Sequence, residues 1–249
     1  DALHLPTLAA KEEVTLINTV PSVLAELLRM GAVPRSVKTL NVAGEPLPDK
    51  LVERVYATTN VEKVYNLYGP TETTTYSTFT RVRRGCPVTI GKPIAGTQCY
   101  ILDPRQNPVA IGITGELYLG GGGLARGYYA RPELTNERFV PNPFSAEPGA
   151  RMYRTGDLCR WRPDGNIEYL GRRDHQIKLR GFRIELGEIE AGIALHPAVR
   201  EVVVTAREDS PGEKRLVAYL VADNPPADLI DQLREFVRAT MPEYMVPAD

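Results

Sequence analysis

VKTLNVAGEPLPDKLVERVYATTNVEKVYNL, residues 37–67, is the stretch on which the fold turns. Val37 to Val42 alternates apolar and polar residues as a strand does, then runs into Ala43-Gly44-Glu45. Pro48 suits a helix start, and Leu51, Val52 and Val55 fall on one side of that helix. Val61 to Leu67 reads as a second strand and ends at Tyr68-Gly69-Pro70. Strand, helix and strand within roughly 30 residues make a βαβ unit, which implies a parallel sheet. Upstream, residues 14–18 read as one more short strand. Pro21 then opens a helix with Val23, Leu24, Leu27 and Leu28 on its apolar face and Gly31 at its end.

A parallel sheet has a functional consequence, because open α/β sheets bind ligands beyond the carboxyl ends of their strands. Gly44-Glu45 and Tyr68-Gly69-Pro70-Thr71-Glu72 fall at two such ends, on one rim. Glycine lets a ligand approach the backbone, an aromatic ring stacks on a base, and a hydroxyl with a carboxylate suits phosphate and a divalent cation. An ordinary turn after each strand accounts for the same residues equally well.

From about Arg81 the texture changes. Pro87, Gly91, Pro93, Gly96, Pro104, Pro108, Gly112 and Gly115 punctuate short strands such as Cys99–Leu102 and Glu116–Leu119, as in a small β-rich subdomain. Gly120 to Gly123 is followed by no Gly-Lys-Ser/Thr, so a tight turn leaving a strand is expected rather than a Walker-type phosphate loop. Asp157, after Gly156, suits sugar hydroxyls or an Asx turn, and pattern alone favours the turn. Residues 171–190, GRRDHQIKLRGFRIELGEIE, read as a charged connector followed by an amphipathic helix with Leu186, Ile189 and Ile193 on one face. Beyond it, two strands (201–206 and 215–222) and a second helix suggest a small α+β domain of about 75 residues.

Composition narrows the class of protein. The 249 residues are 43% hydrophobic, enough for a sizeable core and more than one domain. A net charge of -1 gives no general case for nucleic acid or an anionic membrane. The basic cluster Arg172, Arg173, Lys178, Arg180 and Arg183 is interrupted by Asp174 and followed by glutamates. Cys86, Cys99 and Cys159 are odd in number and widely spaced, which suits reduced, buried thiols in a cytoplasmic protein better than a disulfide framework. No CxxC pair starts a zinc site, and His4, His175 and His196 are scattered. No apolar run approaches the ~20 residues of a membrane span.

The chain resembles the amino-acid adenylation domains of nonribosomal peptide synthetases, within the adenylate-forming superfamily. The resemblance rests on five stretches in the family's order: NLYGPTE (66–72), GELYLGGGGLARGYYARPELTNERF (115–139), YRTGDL (153–158), the 171–190 stretch quoted above, and MPEYMVP (241–247). It implies an α/β fold with an α+β C-terminal lobe: a parallel βαβ portion over 1–80, a β-barrel-like subdomain over 81–173, and a hinged small domain over 174–249.

The activity implied is ATP-dependent formation of an aminoacyl-AMP, followed by transfer to the phosphopantetheine thiol of a carrier protein. Carried over by the resemblance, Asn66 reads the adenine amino group, Tyr68 and Tyr169 flank the base, and Gly44 lies near it. Thr71 touches phosphate, Glu72 binds Mg²⁺, Asp157 holds the ribose, and Arg172 reaches ribose or phosphate. Asp174 is the hinge, and Gly181 belongs to the loop that receives the thiol. Asn18, Asn41, Ala43, Leu67, Thr75 and Tyr76 match the pocket lining. That set has no acid or base to pair a charged substrate and suggests a small neutral amino acid such as alanine.

The family's phosphate loop with its lysine, its amino-anchoring aspartate and its catalytic lysine have no counterpart in the 249 residues. A fragment unable to turn over alone is therefore expected, in a parent carrying condensation and other synthetase domains. Two other readings stand beside this one: an acyl-CoA ligase of the same superfamily, and a non-catalytic module that binds nucleotide and carrier protein.

Overall fold

A computed structural model describes residues 13–174, 176–210, 213–223 and 225–248. His4, His175 and the amino-terminal run 1–12 lie outside them. Two compact units divide at Arg173/Asp174.

The first unit opens with β1 (Leu16–Thr19), α1 (Pro21–Arg29), β2 (Thr39–Ala43), α2 (Asp49–Thr58) and β3 (Lys63–Tyr68). Strand β1 pairs with β2, and β2 with β3, both in parallel. The βαβ expectation therefore holds, with strand ends displaced by a residue or two. Strands β4 (Thr78–Val82) and β5 (Lys92–Pro93) then add antiparallel, giving the order β1-β2-β3-β4-β5. Side chains alternate across a strand. One face thus sends Ile17, Leu40, Val42, Val64 and Val82 into a core with Leu24 and Leu28 of α1 and Val52 and Val55 of α2. The opposite face carries Asn18, Asn41, Ala43 and Leu67, none of them buried.

Helix α1 has no side-chain cap of its own, because Val20 stands at its N-cap. The cap comes from the loop after β2. Glu45 accepts Ser22 N–H at Oε2 and the Ser22 hydroxyl at Oε1, both at 2.9 Å. A carboxylate at a helix N-terminus satisfies an orphan donor and opposes the helix dipole. Replacing Glu45 with alanine is expected to cost about 1–2 kcal/mol, read as a lower urea midpoint. A midpoint unchanged in that variant would show that the cap carries nothing.

The remainder of the first unit is β6 (Thr97–Leu102), β7 (Gly115–Gly121), α3 (Pro132–Arg138), β8 (Phe139–Pro141), β9 (Arg151–Trp161) and β10 (Ile167–Arg172). These strands form an antiparallel sheet of order β10-β9-β7-β6, with β8 alongside β9. Tyr68, from the first sheet, packs with Ile90, Ile101, Leu117, Leu119, Cys159 and Ile167, so the two sheets share a core. Burial pushes the Cys99 thiol up to about 12 and Cys159 well above the usual range, but Cys86, expected to be buried with them, is exposed because it falls on the loop between β4 and β5. A thiol-exchange reagent at pH 8 is therefore expected to modify Cys86 rapidly and the other two only on unfolding. Rapid modification of all three in the native protein would contradict this packing.

The second unit departs from the sequence reading. The expected charged connector is a β-hairpin of β11 (Gln176–Leu179) and β12 (Phe182–Glu185). Leu179 pairs with Phe182 across Arg180 and Gly181, whose φ angles are +52° and +80°. Two consecutive positive φ angles make the tight turn whose twist suits a hairpin. The signal was Ile177 and Leu179 alternating with charges, which a count of charges obscures. Helix α4 (Leu186–Ile193) follows as expected, with Leu186, Ile189 and Ile193 buried. Strands β13 (Glu201–Ser210) and β14 (Glu213–Val221) pair antiparallel, and α5 (Leu229–Thr240) buries Leu229, Leu233 and Val237. The unit therefore has two strand pairs where the pattern had suggested one.

Candidate active site

A cavity of about 450 Å³ opens at the carboxyl ends of β2 and β3, within the usual range for small-molecule sites. Ala43 and Gly44 line it from one strand end, and Gly69 and Thr71 from the next. Thr74, Thr75 and Tyr76 complete it. The lining offers hydroxyls and backbone, with no charged side chain. Gly44 turns at φ +85°. Asn18 Nδ2 donates to the Tyr76 hydroxyl at 2.9 Å, and Asn18 is in register with Asn41. Leu67 pairs with Ala43 in the ladder. Three of the expected pocket residues thus line the cavity, and the other three adjoin it through the sheet or Tyr76.

The 71–77 segment folds tightly back over the end of β3. Ser77 N–H donates to the Tyr68 carbonyl at 2.7 Å. A Cβ on Gly69 would stand 2.6 Å from the Thr75 carbonyl oxygen and 2.8 Å from Ser77 N. Glycine is needed there for backbone to meet backbone, rather than for a ligand to approach. Thr74 and Thr75 both have positive φ, 59° and 64°, an uncommon conformation for a β-branched residue and one that surrounding contacts must hold. Thr74 Oγ1 supplies one such contact, donating to the Gly123 carbonyl at 2.8 Å.

Asp157 lies beside the end of β3. It is 3% exposed in the middle of β9, where Thr155-Gly156-Asp157 bulge out of the β7 ladder. The Asx turn favoured by pattern is not what its carboxylate makes. Arg172 Nη1 donates to Oδ1 at 2.7 Å, and the Tyr68 hydroxyl donates to Oδ2 in a short hydrogen bond. Burial first, then the Asp157 charge, holds the Tyr68 phenol well above its ordinary pKa, so it stays a donor. A bulge between Tyr169 and Gly171 sets Arg172 directly opposite Asp157; bulges re-aim side chains in this way. Tyr169 packs against the cluster that contains Tyr68.

Three residues supporting this arrangement escaped the sequence reading. Glu116 is buried in β7 and accepts Gly156 N–H at 3.2 Å, Arg154 Nε at 3.0 Å and Arg173 Nη1 at 3.3 Å. An acid inside the apolar run GELYLGG was the available signal. The other two are tyrosines. Glu72, in a 3-10 turn over Thr71–Thr73, is 8% exposed, and its Oε1 accepts the hydroxyls of Tyr128 at 2.6 Å and Tyr153 at 2.9 Å. Burial and the Glu72 hydrogen bond raise the Tyr128 pKa far above its ordinary value.

One carboxylate beside hydroxyls fits a magnesium ion that keeps its waters and leans on substrate phosphates. Among the described residues no group of three His, Cys, Asp or Glu forms a protein-only cage. Asn66 is buried and does not line the cavity; its Nδ2 donates to the Thr89 carbonyl at 2.8 Å. Asp174 and Gly181 belong to the second unit, where Asp174 accepts Gln176 N–H at 3.3 Å and Gly181 occupies the hairpin turn.

Residues 1–129 match the model of the AMP-binding enzyme family, and residues 188–249 match that of the AMP-binding enzyme C-terminal domain. The chain belongs to the AMP-binding enzymes, a family of adenylate-forming ligases. It is 57% identical over its whole length to a linear gramicidin synthase protein of Brevibacillus parabrevis, covering 5% of that protein. Identity to the AMB antimetabolite synthetase AmbB of Pseudomonas aeruginosa is 48%, over 98% of this chain and 20% of that one. Among solved structures, it matches NpsA-ThdA, an artificially fused adenylation-PCP di-domain from Klebsiella oxytoca. That match has a TM-score of 0.84 and 27% identity, and covers all of this chain and 49% of the other. The chain thus spans between a twentieth and a fifth of these two curated relatives' lengths.

Proposed function

We propose that this chain is the nucleotide-binding and C-terminal part of an amino-acid adenylation domain. Its parent activates an amino acid with ATP to an aminoacyl-AMP and passes it to the phosphopantetheine thiol of a carrier protein. The observation that carries this reading is Asp157, buried against Tyr68 at the end of β3, where Tyr68 and Arg172 both donate to its carboxylate. A preorganised carboxylate suits a ribose diol, and the guanidinium suits the anion that follows it.

In this reading Tyr68 and Tyr169 flank the base near Gly44, while Asn66, which donates its amide to the Thr89 carbonyl, supports the end of β3 from outside the cavity. Thr71 donates to phosphate, and Glu72 holds Mg²⁺. A bound magnesium would neutralise phosphate charge as pyrophosphate departs. Ala43, Thr75 and Tyr76, with Asn18, Asn41 and Leu67, shape a neutral pocket for a small substrate such as alanine. Asp174 serves as hinge and Gly181 as part of the thiol-receiving loop. The carrier-protein partner is supported by the adenylation-PCP architecture of NpsA-ThdA.

Pyrophosphate exchange by the intact protein across a panel of amino acids tests this reading. A small neutral amino acid is expected to give the highest rate, and the 249-residue chain alone is expected to give none. Exchange dependent on a carboxylic acid without an amino group would favour the acyl-CoA ligase alternative. Strongest exchange with a charged amino acid would overturn the pocket assignment.

A further inference from the structure

The Gly-rich run after β7 has a place in this site that its sequence did not suggest. Ala125 N–H donates to the Glu72 carbonyl at 2.8 Å, and the Gly123 carbonyl accepts the Thr74 hydroxyl at 2.8 Å. The run thereby lies against the 71–75 turn and delivers Tyr128 to Glu72. Tyr153 arrives at the same carboxylate oxygen from β9, a different segment.

The rings of both tyrosines are already fixed by Phe139, whose centroid lies 5.5 Å from Tyr128 and 5.2 Å from Tyr153. Phenylalanine would supply that packing equally well. What tyrosine adds at each position is one hydroxyl, and both hydroxyls end on Glu72 Oε1. A carboxylate with one oxygen held by two donors is fixed in rotation.

We propose that Tyr128 and Tyr153 are positioning residues that aim the Glu72 carboxylate at a divalent cation carried in with the nucleotide. The inference rests on the adenylation reading, which gives Glu72 its cation. Groups that orient a metal-binding carboxylate typically account for 10–100-fold in metal affinity.

The test is calorimetry on the intact protein and its Tyr128→Phe and Tyr153→Phe variants. ATP is titrated at stepped Mg²⁺ concentrations, and AMP is titrated without metal. Tyr128→Phe is expected to raise the Mg²⁺ concentration for half-maximal ATP binding about tenfold or more, and to leave AMP affinity within about twofold. Tyr153→Phe is expected to shift the Mg²⁺ requirement in the same direction. A Mg²⁺ requirement unchanged in Tyr128→Phe would overturn the inference and leave the adenylation reading standing. Equal losses of AMP and MgATP affinity would also overturn it, since the hydroxyl would then serve the shape of the cleft and not the cation. Wild-type protein that binds neither nucleotide would sink both readings together.

Discussion

Asp157→Ala is expected to destabilise the first unit by about 3–5 kcal/mol, the usual cost of removing one partner from a buried ion pair. The Asp157 side chain is 4% exposed and that of Arg172 is 9% exposed. Truncation removes the buried carboxylate to which both Arg172 and Tyr68 donate. Domain stabilities are about 5–15 kcal/mol, so the variant is expected to fold marginally, with a much lower denaturation midpoint. Asp157→Asn keeps the volume and a hydrogen-bonding oxygen, and it is expected to remain folded at room temperature. It nevertheless loses the charge that the adenylation reading assigns to the ribose, and AMP affinity is expected to fall about 100-fold, the scale of a charge-assisted pair. The two variants separate stability from binding. Loss of less than about 1 kcal/mol in Asp157→Ala, or AMP affinity retained in Asp157→Asn, would remove Asp157 from the centre of the site.

How much of this was legible in the sequence follows from the range of each interaction. The βαβ unit was readable because its signal is local: Leu40 and Val42 alternate within β2, and Val52 and Val55 fall on one helix face. The rim was readable for the same reason, because strand ends announce themselves with Gly44 and Gly69. Asp157 was misread as a turn because its partners are Tyr68 and Arg172, and Tyr68 lies 89 residues away. Tyr128 and Tyr153 are separated from Glu72 by 56 and 81 residues. Nothing near Tyr128 distinguishes it from Tyr129, which is 98% exposed. The hairpin Gln176–Glu185 was hidden differently, since its turn uses Arg180 at positive φ where Asn or Asp is the familiar sign.

These long-range partners share one structural consequence. The cavity lining comes from local turns of the parallel sheet, while the charged groups around it depend on the antiparallel sheet: Tyr128 after β7 and Tyr153 in β9 hold Glu72, and Asp157 in β9 pairs with Arg172 in β10. The shared core around Tyr68, Leu117 and Cys159 holds one sheet in register with the other. The β-rich region therefore sets the electrostatics of a site whose shape is drawn elsewhere.

Gly69→Ala tests the shape directly. Its Cβ would meet the Thr75 carbonyl oxygen at 2.6 Å and the Tyr76 Cα at 2.8 Å. Those atoms belong to backbone, so no flexible side chain can yield; the 75–77 segment has to move. Overpacking of this kind costs about 1–3 kcal/mol, and the expected value lies near the top of that range because Thr74 and Thr75 already occupy an unfavourable conformation. Thr75 and Tyr76 line the cavity, so the displacement is also expected to lower amino-acid-dependent pyrophosphate exchange in the intact protein more than tenfold, since a shift of about 1 Å can cost 100-fold. Gly122→Ala is the matched control, because a Cβ there meets nothing within 4 Å, and it is expected to change stability by less than about 0.5 kcal/mol. Urea unfolding of both variants beside the wild type reads the first effect, and exchange kinetics read the second. Equal midpoints for Gly69→Ala and Gly122→Ala would mean that the turn over β3 is not the rigid wall that the packing of Thr75, Tyr76 and Ser77 against Gly69 describes.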